Sequence, residues 1–319
     1  MQSMVILAGD IGGTKTHLAV FEGDERIYEK RFPSRDYASL GLIVQEFLSE
    51  KKFQPTVASF GIAGPVCAGR CVATNLAWVV DSKEIAQALK VEKVGLLNDL
   101  EANAYGIAAL KPEEFLVLNE GEQQRGNQAL ISAGTGLGEA GLYFDGSDHL
   151  PFACEGGHAD FAPRNEKEIA LFQFLQKRFG HVSYERVLSG PGMKNIYDFL
   201  VETGREKRDP EVEGETPKRF ISDRAMNGES RACEHALDLF ISLYGAEAGN
   251  TALKFMSLGG IFVGGGIAPK IASKMRDHFM KAFVDKGRFA EILLSIPVKI
   301  LLNEETALLG AHQFAKKLS

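Results

Sequence analysis

Two short apolar runs in this chain end in the same way. Met4–Ala8 runs into Gly9-Asp10-Ile11-Gly12-Gly13-Thr14, and a second run, His17–Phe21, follows. Ala129–Ala133 runs into Gly134-Thr135-Gly136-Leu137-Gly138, and Ala140–Phe144 follows. Each reads as strand, glycine-rich turn, strand. Two copies this far apart argue for a duplicated architecture rather than a short-period solenoid.

These turns exclude two familiar phosphate motifs. A Walker A loop needs Gly-Lys-Ser/Thr, and Thr14 separates Gly13 from Lys15. Gly136-Leu137-Gly138-Glu139-Ala140-Gly141 matches G-x-G-x-x-G by letter. A dinucleotide turn must open a helix, however, and Gly141–Phe144 continues as strand before turning at Asp145-Gly146. What remains is either a plain hairpin turn or a phosphate cradle. Glycines admit backbone N–H groups close to a phosphate chain because no Cβ intervenes. Asp10 would repel that chain unless a cation bridged them, which makes it a candidate for holding Mg²⁺, directly or through water. The second turn lacks the carboxylate and offers the Thr135 hydroxyl. Two such turns facing each other would clamp a triphosphate. A third cluster, Gly264-Gly265-Gly266, ends the strand Ile261–Val263 ahead of a helix near Pro269, and suits close approach of an adenosine.

Strands alternate with helices, so the fold class is α/β. Leu40, Ile43, Val44, Phe47 and Leu48 form one helical face. Asp81 and Glu84 have capping-box spacing for a helix through Leu89. Glu168–Phe179, Met193–Gly204 and Arg231–Ser257 read as helices, and Arg205–Lys218 as an exposed charged loop. The net charge of -6 argues against nucleic-acid or membrane-surface partners. Four cysteines without a C-x-x-C pair suit a reducing compartment. The N-terminal sequence has no basic region of a signal peptide, and no apolar stretch is long enough to cross a membrane. The chain reads as cytoplasmic.

The polar candidates lie at strand ends and on glycine-rich loops. Val94–Leu97 delivers Asn98-Asp99 at its C-terminal end, the usual place for a ligand in an α/β sheet. Either residue could equally cap a helix from about Glu101. Glu155-Gly156-Gly157-His158 places an acid and an imidazole three apart. Glu185 follows Gly180-His181-Val182-Ser183. Carboxylates, amides and imidazole suit a polyol, whose hydroxyls both donate and accept.

The segments GDIGGT at 9–14, LLNDLEA at 96–102, GTGLG at 134–138, EGGHADFAP at 155–163, GHVSYERVLSGPG at 180–192 and GGIFVGGGI at 259–267 resemble the bacterial glucokinase family, in its order and spacing. The resemblance implies a two-domain actin-like ATPase (ribonuclease H-like) fold with a central cleft. It implies a small domain, 1–109 plus 300–319, and a large one, 110–299. It implies transfer of the γ-phosphoryl of ATP to the 6-hydroxyl of D-glucose with Mg²⁺, in a homodimer. Carried over by motif, Asn98, Asp99, Glu155, His158 and Glu185 contact the sugar, and Asp99 is the catalytic base. Gly9, Asp10, Ile11, Gly12, Gly13, Thr14, Gly134, Thr135, Gly136 and Gly265 bind ATP. Lys15 and Cys154 depart from the common pattern, and no Cys-rich zinc motif follows His158, which places the chain in the non-zinc group. The rival readings are a kinase of the same fold for another hexose and a non-catalytic sugar sensor.

Overall fold

A computed structural model describes residues 4–212 and 218–318. The chain divides into two compact units. One holds the residues up to Pro112, with Pro151–Ala153 and the segment from Asn303 onward; the other holds Glu113–Leu150 and Cys154–Leu302.

The first unit is built on a five-stranded sheet. Its strands are β1 (Val5–Ile11), β2 (Lys15–Glu22), β3 (Glu25–Pro33), β4 (Val57–Ile62) and β8 (Lys93–Asn98). A three-stranded sheet of β5 (Val66–Cys67), β6 (Arg70–Val72) and β7 (Val79–Asp81) lies between β4 and β8 in the sequence. The large sheet runs β3-β2-β1-β4-β8. β1, β2 and β3 are antiparallel, whereas β1, β4 and β8 are parallel. β4 is buried along its whole length, as a parallel strand covered on both faces must be, while edge strand β3 alternates exposed and half-buried positions.

Alternation along β1 splits the core in two. Leu7 and Ile11 face α1 (Leu40–Lys51), where Ile43, Val44 and Phe47 bury the predicted stripe. Ile6 and Ala8 face the C-terminal helix Thr306–Leu318 through Leu308, Ala311 and Ala315. α2 (Ser82–Leu89) is capped by Asp81, whose carboxylate accepts from the Lys83 N–H. Glu84 makes no reciprocal bond there, so the expected capping box is half-formed. α3 (Asp99–Gly106) lies against the C-terminal helix so closely that a Cβ on Gly310 would sit 1.6 Å from the Ala102 carbonyl oxygen. That helix is also tethered by Glu305, which accepts from Arg26 at 2.8 Å and Arg31 at 2.8 Å.

The second unit repeats the plan. Its sheet is formed by β9 (Phe115–Asn119), β10 (Gln128–Ala133), β11 (Leu137–Phe144), β12 (His149–Cys154, of which Pro151–Ala153 count with the first unit), β13 (Gly260–Gly264) and β14 (Val298–Leu301). The order is β12-β11-β10-β13-β14-β9. β10 and β11 are antiparallel, and β10, β13 and β14 are parallel, so apart from β9 the order matches the first sheet. The helices are α4 (Glu166–Phe179), α5 (Gly190–Glu202), α6 (Lys218–Met226), α7 (Arg231–Phe255), α8 (Ala268–Val284) and α9 (Ala290–Ser295). α7 is buried almost all round, with Leu237, Phe240, Ile241 and Tyr244 in the core beside Phe279 and Phe283 of α8. In the segment read as an exposed loop, Asp209 and Val212 are buried, because the Tyr197 hydroxyl and Arg224 hold Asp209; residues 213–217 lie outside the described residues. Among the described residues no helix is long and apolar enough to cross a membrane.

Candidate active site

In the first unit the parallel strands end level with one another. Ile11 on β1 pairs with Ile62 on β4, and Ile62 with Asn98 on β8. Asp10, half-buried, and Asn98, buried, therefore stand at one end of the sheet. Asn98 is the N-cap of α3: its Oδ1 accepts from the Glu101 N–H at 2.7 Å, and Glu101 reaches back to the Asn98 N–H at 3.3 Å. This capping box starts the helix at Asp99, two residues before the sequence suggests. The cap uses Oδ1 and leaves the amide nitrogen of Asn98 out of it. Asp99 occupies the first turn, where the helix dipole favours a carboxylate, and accepts from the Leu100 N–H at 3.1 Å. Burial, then the negative charge of Asp99, push the Asp10 carboxyl up to about 6, against the pull of Lys15.

The Gly12–Thr14 turn is held from below. The Gly12 N–H donates to the Lys15 carbonyl at 3.0 Å, so it belongs to the hairpin rather than to a phosphate cradle. Ser34 donates to the Gly12 carbonyl at 2.8 Å and meets the Thr16 hydroxyl at 2.9 Å. Gly13 packs on Asn75, whose Cβ lies 2.5 Å from where a glycine Cβ would be.

In the second unit, the turn Gly134–Gly138 is held differently. The Gly134 N–H donates to the Gly136 carbonyl at 2.8 Å, closing the turn. Buried Tyr244 accepts from the Ala133 N–H at 3.0 Å and lies 3.2 Å from the carbonyls of Ile131 and Gly264. It ties the ends of β10 and β13 together. Gly265, at φ +84°, would put a Cβ 2.2 Å from the Ala133 carbonyl oxygen, so only glycine fits there. Beside it a cavity of about 410 Å³ is lined by Thr135, Met193, Ser222, Gly266, Ile267 and Lys270, among others. That is within the size range of small-ligand pockets.

Glu155, Gly156, Gly157 and His158 form a short turn after β12. The carboxylate of Glu155 and the imidazole of His158 are both exposed and 4.0 Å apart. Asp160 bridges Ser183, and the Tyr184 N–H donates to the Ala159 carbonyl at 3.0 Å, so this loop lies alongside the turn carrying Glu185. Glu185 is half-buried and accepts from the Leu137 N–H at 3.1 Å. Glu155, His158, Glu185, Gly134–Gly136 and Gly265 are thus gathered in the second unit, and Gly9–Thr14, Asn98 and Asp99 in the first. Sequence reading missed Ser34, Asn75 and Tyr244. None has a local signal, because each acts on a turn distant in sequence, Tyr244 across 111 positions.

A sheet order that occurs twice, with a glycine-rich turn inside its central antiparallel pair each time, is that of the actin-like ATPase fold, and comparison with known proteins places the chain among the sugar kinases of that fold. Solved structures agree. A glucokinase from an Antarctic psychrotroph superposes with a TM-score of 0.89 at 30% identity, over 99% of this chain and 100% of that one. A glucokinase from Balamuthia mandrillaris, in complex with glucose, shares the fold with a TM-score of 0.81 at 18% identity, over 98% of this chain and 94% of that one. The chain belongs to the glucokinase family, whose family model, Glucokinase, matches residues 7–318. The glucokinase of Nostoc sp. (strain PCC 7120 / SAG 25.82 / UTEX 2576) is 41% identical, covering 98% of this chain and 99% of that protein. That of Psychromonas ingrahamii is 38% identical, covering 98% and 97%.

Proposed function

We propose that Asp99 is the general base of the family's reaction, in which ATP phosphorylates glucose. The observation that carries this is the position of Asp99, at the C-terminal end of β8 and in the first turn of α3, close enough to Asp10 to raise its proton affinity. The Asp99 carboxylate orients the sugar 6-hydroxyl and takes its proton as the new O–P bond forms. The bond from the γ-phosphorus to the bridging oxygen breaks, and ADP leaves. Asn98, Glu155, His158 and Glu185 hold the other hydroxyls, matching donors and acceptors. The amides of Gly13, Thr14, Thr135 and Gly136 hold phosphate oxygens, and the cavity beside Gly265 receives the adenosine.

The donor set suits Mg²⁺. Asp10 and Asp99 are hard oxygen donors whose mutual repulsion a divalent cation relieves. Asp10 would hold the ion, directly or through water, and the bound ion would neutralise charge on the phosphates. The four cysteines are free thiols, which supports a cytoplasmic enzyme, and the family resemblance supports a homodimer. One activity matrix of hexoses against phosphate donors, with and without Mg²⁺, tests the reading. Glucose with ATP and Mg²⁺ gives the highest kcat/KM; a higher value for another hexose overturns the substrate. Sedimentation tests the dimer.

A further inference from the structure

Beneath the loop that carries Glu155 and His158, the second unit buries two carboxyl groups that the reaction does not use. Glu139 on β11 is 1% exposed, and Glu247 on α7 is fully buried. Glu247 is well supplied with donors: Lys254 Nζ at 3.0 Å and Asn250 Nδ2 at 2.7 Å. Glu139 is not. Its Oε1 is buried with no hydrogen-bond partner among the described residues. The groups beside its carboxyl are the Glu247 carboxyl and the Thr251 hydroxyl, which also donates to the Glu247 main-chain carbonyl at 2.9 Å. Two neighbouring buried carboxylates oppose each other's ionisation. One proton between them turns Glu139 into a donor, satisfies the orphaned oxygen, and leaves a single charge for Lys254 to balance.

The pair touches both sugar loops. A Cβ on Gly156 would lie 2.1 Å from Glu139 Oε2, so this carboxyl presses on the loop backbone. Cys154, at the start of that loop, donates to the Glu139 carbonyl at 3.4 Å. On the other side, Asn250 links Glu247 to the Tyr184 hydroxyl at 3.0 Å, and Tyr184 immediately precedes Glu185.

We propose that the proton shared by Glu139 and Glu247 holds the 154–158 loop and the Tyr184–Arg186 turn in their sugar-binding positions, so that glucose binding weakens when the pair loses it. Both residues are positioning residues. The inference rests on the assignment of Glu155, His158 and Glu185 to the sugar. Loss of the proton leaves two charges behind Gly156, and hydration of Glu139 would have to displace that loop. Burial, and then the charge of Glu247, push the Glu139 carboxyl up to about 7, partly offset by Lys254 and by the Thr251 hydroxyl. The other titratable groups facing the cluster are Lys286, Tyr184, Tyr244 and Cys154, with Arg164 acting on Lys286 and Glu155 on Cys154. Burial drives Cys154 and both tyrosines upward, away from neutral pH, and pulls Lys286 downward.

The test is the pH dependence of the two KM values. The glucose KM of the unaltered enzyme should rise at least about tenfold between pH 7 and pH 9, as the protonated fraction falls, with the ATP KM nearly flat. Glu139→Gln, a donor at every pH, should hold the glucose KM within about twofold across that range. Lys286→Arg, charged throughout, should keep the rise. A Glu139→Gln enzyme that follows the unaltered pH profile, or a flat profile in the unaltered enzyme, overturns the proposal. Glu155→Ala tests the sugar assignment separately: it should raise the glucose KM at every pH, and an unchanged KM would sink that assignment without touching the pH comparison. Should Glu139→Gln not fold, infrared difference spectra of the Asp10→Asn protein, which lacks the carboxyl raised to about 6, decide. A protonated-carboxyl stretch lost with a midpoint near pH 7 supports the shared proton, and its absence at pH 6.5 overturns it.

Discussion

The two glycine-rich turns occupy the same place in two sheets of the same order, yet they are held by opposite means. The first follows Asp10 and is braced by hydroxyls, Ser34 on the Gly12 carbonyl and Thr16 on Ser34. The second has no carboxylate before it; it is fixed by the buried phenol of Tyr244 and by Glu185 on the Leu137 amide. Topology therefore decides where a turn is, and side chains remote in sequence decide its charge and stiffness. The first turn is suited to a cation beside phosphates, the second to direct backbone and hydroxyl contact.

The largest effect should come from the carboxylates of the first unit. Asp99→Asn should lower kcat by roughly 10² or more with the glucose KM little changed, the scale of general-base loss. Steady-state kinetics measure both, and near-normal turnover would remove the role. Asp10→Asn sharpens the contrast between the turns, since only the first carries a carboxylate suited to a cation. It should lower kcat/KM for ATP by about 10²-fold, the scale of one strong electrostatic contact. It should also stabilise the fold. The Asp10 carboxyl takes its proton more tightly in the native state than its ordinary 3.8, so stability is lost as pH rises from about 4 through about 6. The variant escapes that loss. Its Tm should exceed that of the unaltered protein above pH 6 and converge with it below about pH 4. A variant no more stable at pH 7.5 would contradict the burial of that charge.

Smaller effects probe the second turn. Gly265→Ala should destabilise by about 1–3 kcal/mol and weaken ATP binding, because φ is positive and the Cβ meets the Ala133 carbonyl. Gly266→Ala next to it has nothing within 4 Å and should change stability by less than about 0.5 kcal/mol. Equal effects in urea titrations would break the account. Tyr244→Phe should cost about 1–3 kcal/mol by orphaning the Ala133 N–H in a buried site. No cost would mean the second turn is held by backbone alone.

Much of this was legible along the chain. The α1 stripe, the two strand-turn-strand units, the strand ending at Asn98 and the long helix from Arg231 each carry a local period or cap. The three-stranded sheet β5–β7 was not legible, because strands of two or three residues hold no readable alternation. Nor was the burial of Asp209, which depends on Tyr197 and Arg224. Glu139 is the sharpest case. In the sequence it is one letter inside a false G-x-G-x-x-G match, and in the fold it is half of a buried acid pair.

The sequence by itself determined the family, the duplicated strand-turn-strand plan and the identities of the polar residues, since periodicity and glycine spacing are properties of neighbouring residues. Only the tertiary structure decided that the Gly12 amide closes a hairpin, that Asn98 caps α3, that Tyr244 and Ser34 brace the turns, and that Glu139 meets Glu247. Those outcomes depend on which distant groups share a low-dielectric neighbourhood, and burial and Coulomb coupling are set by distance in space, not by position along the chain.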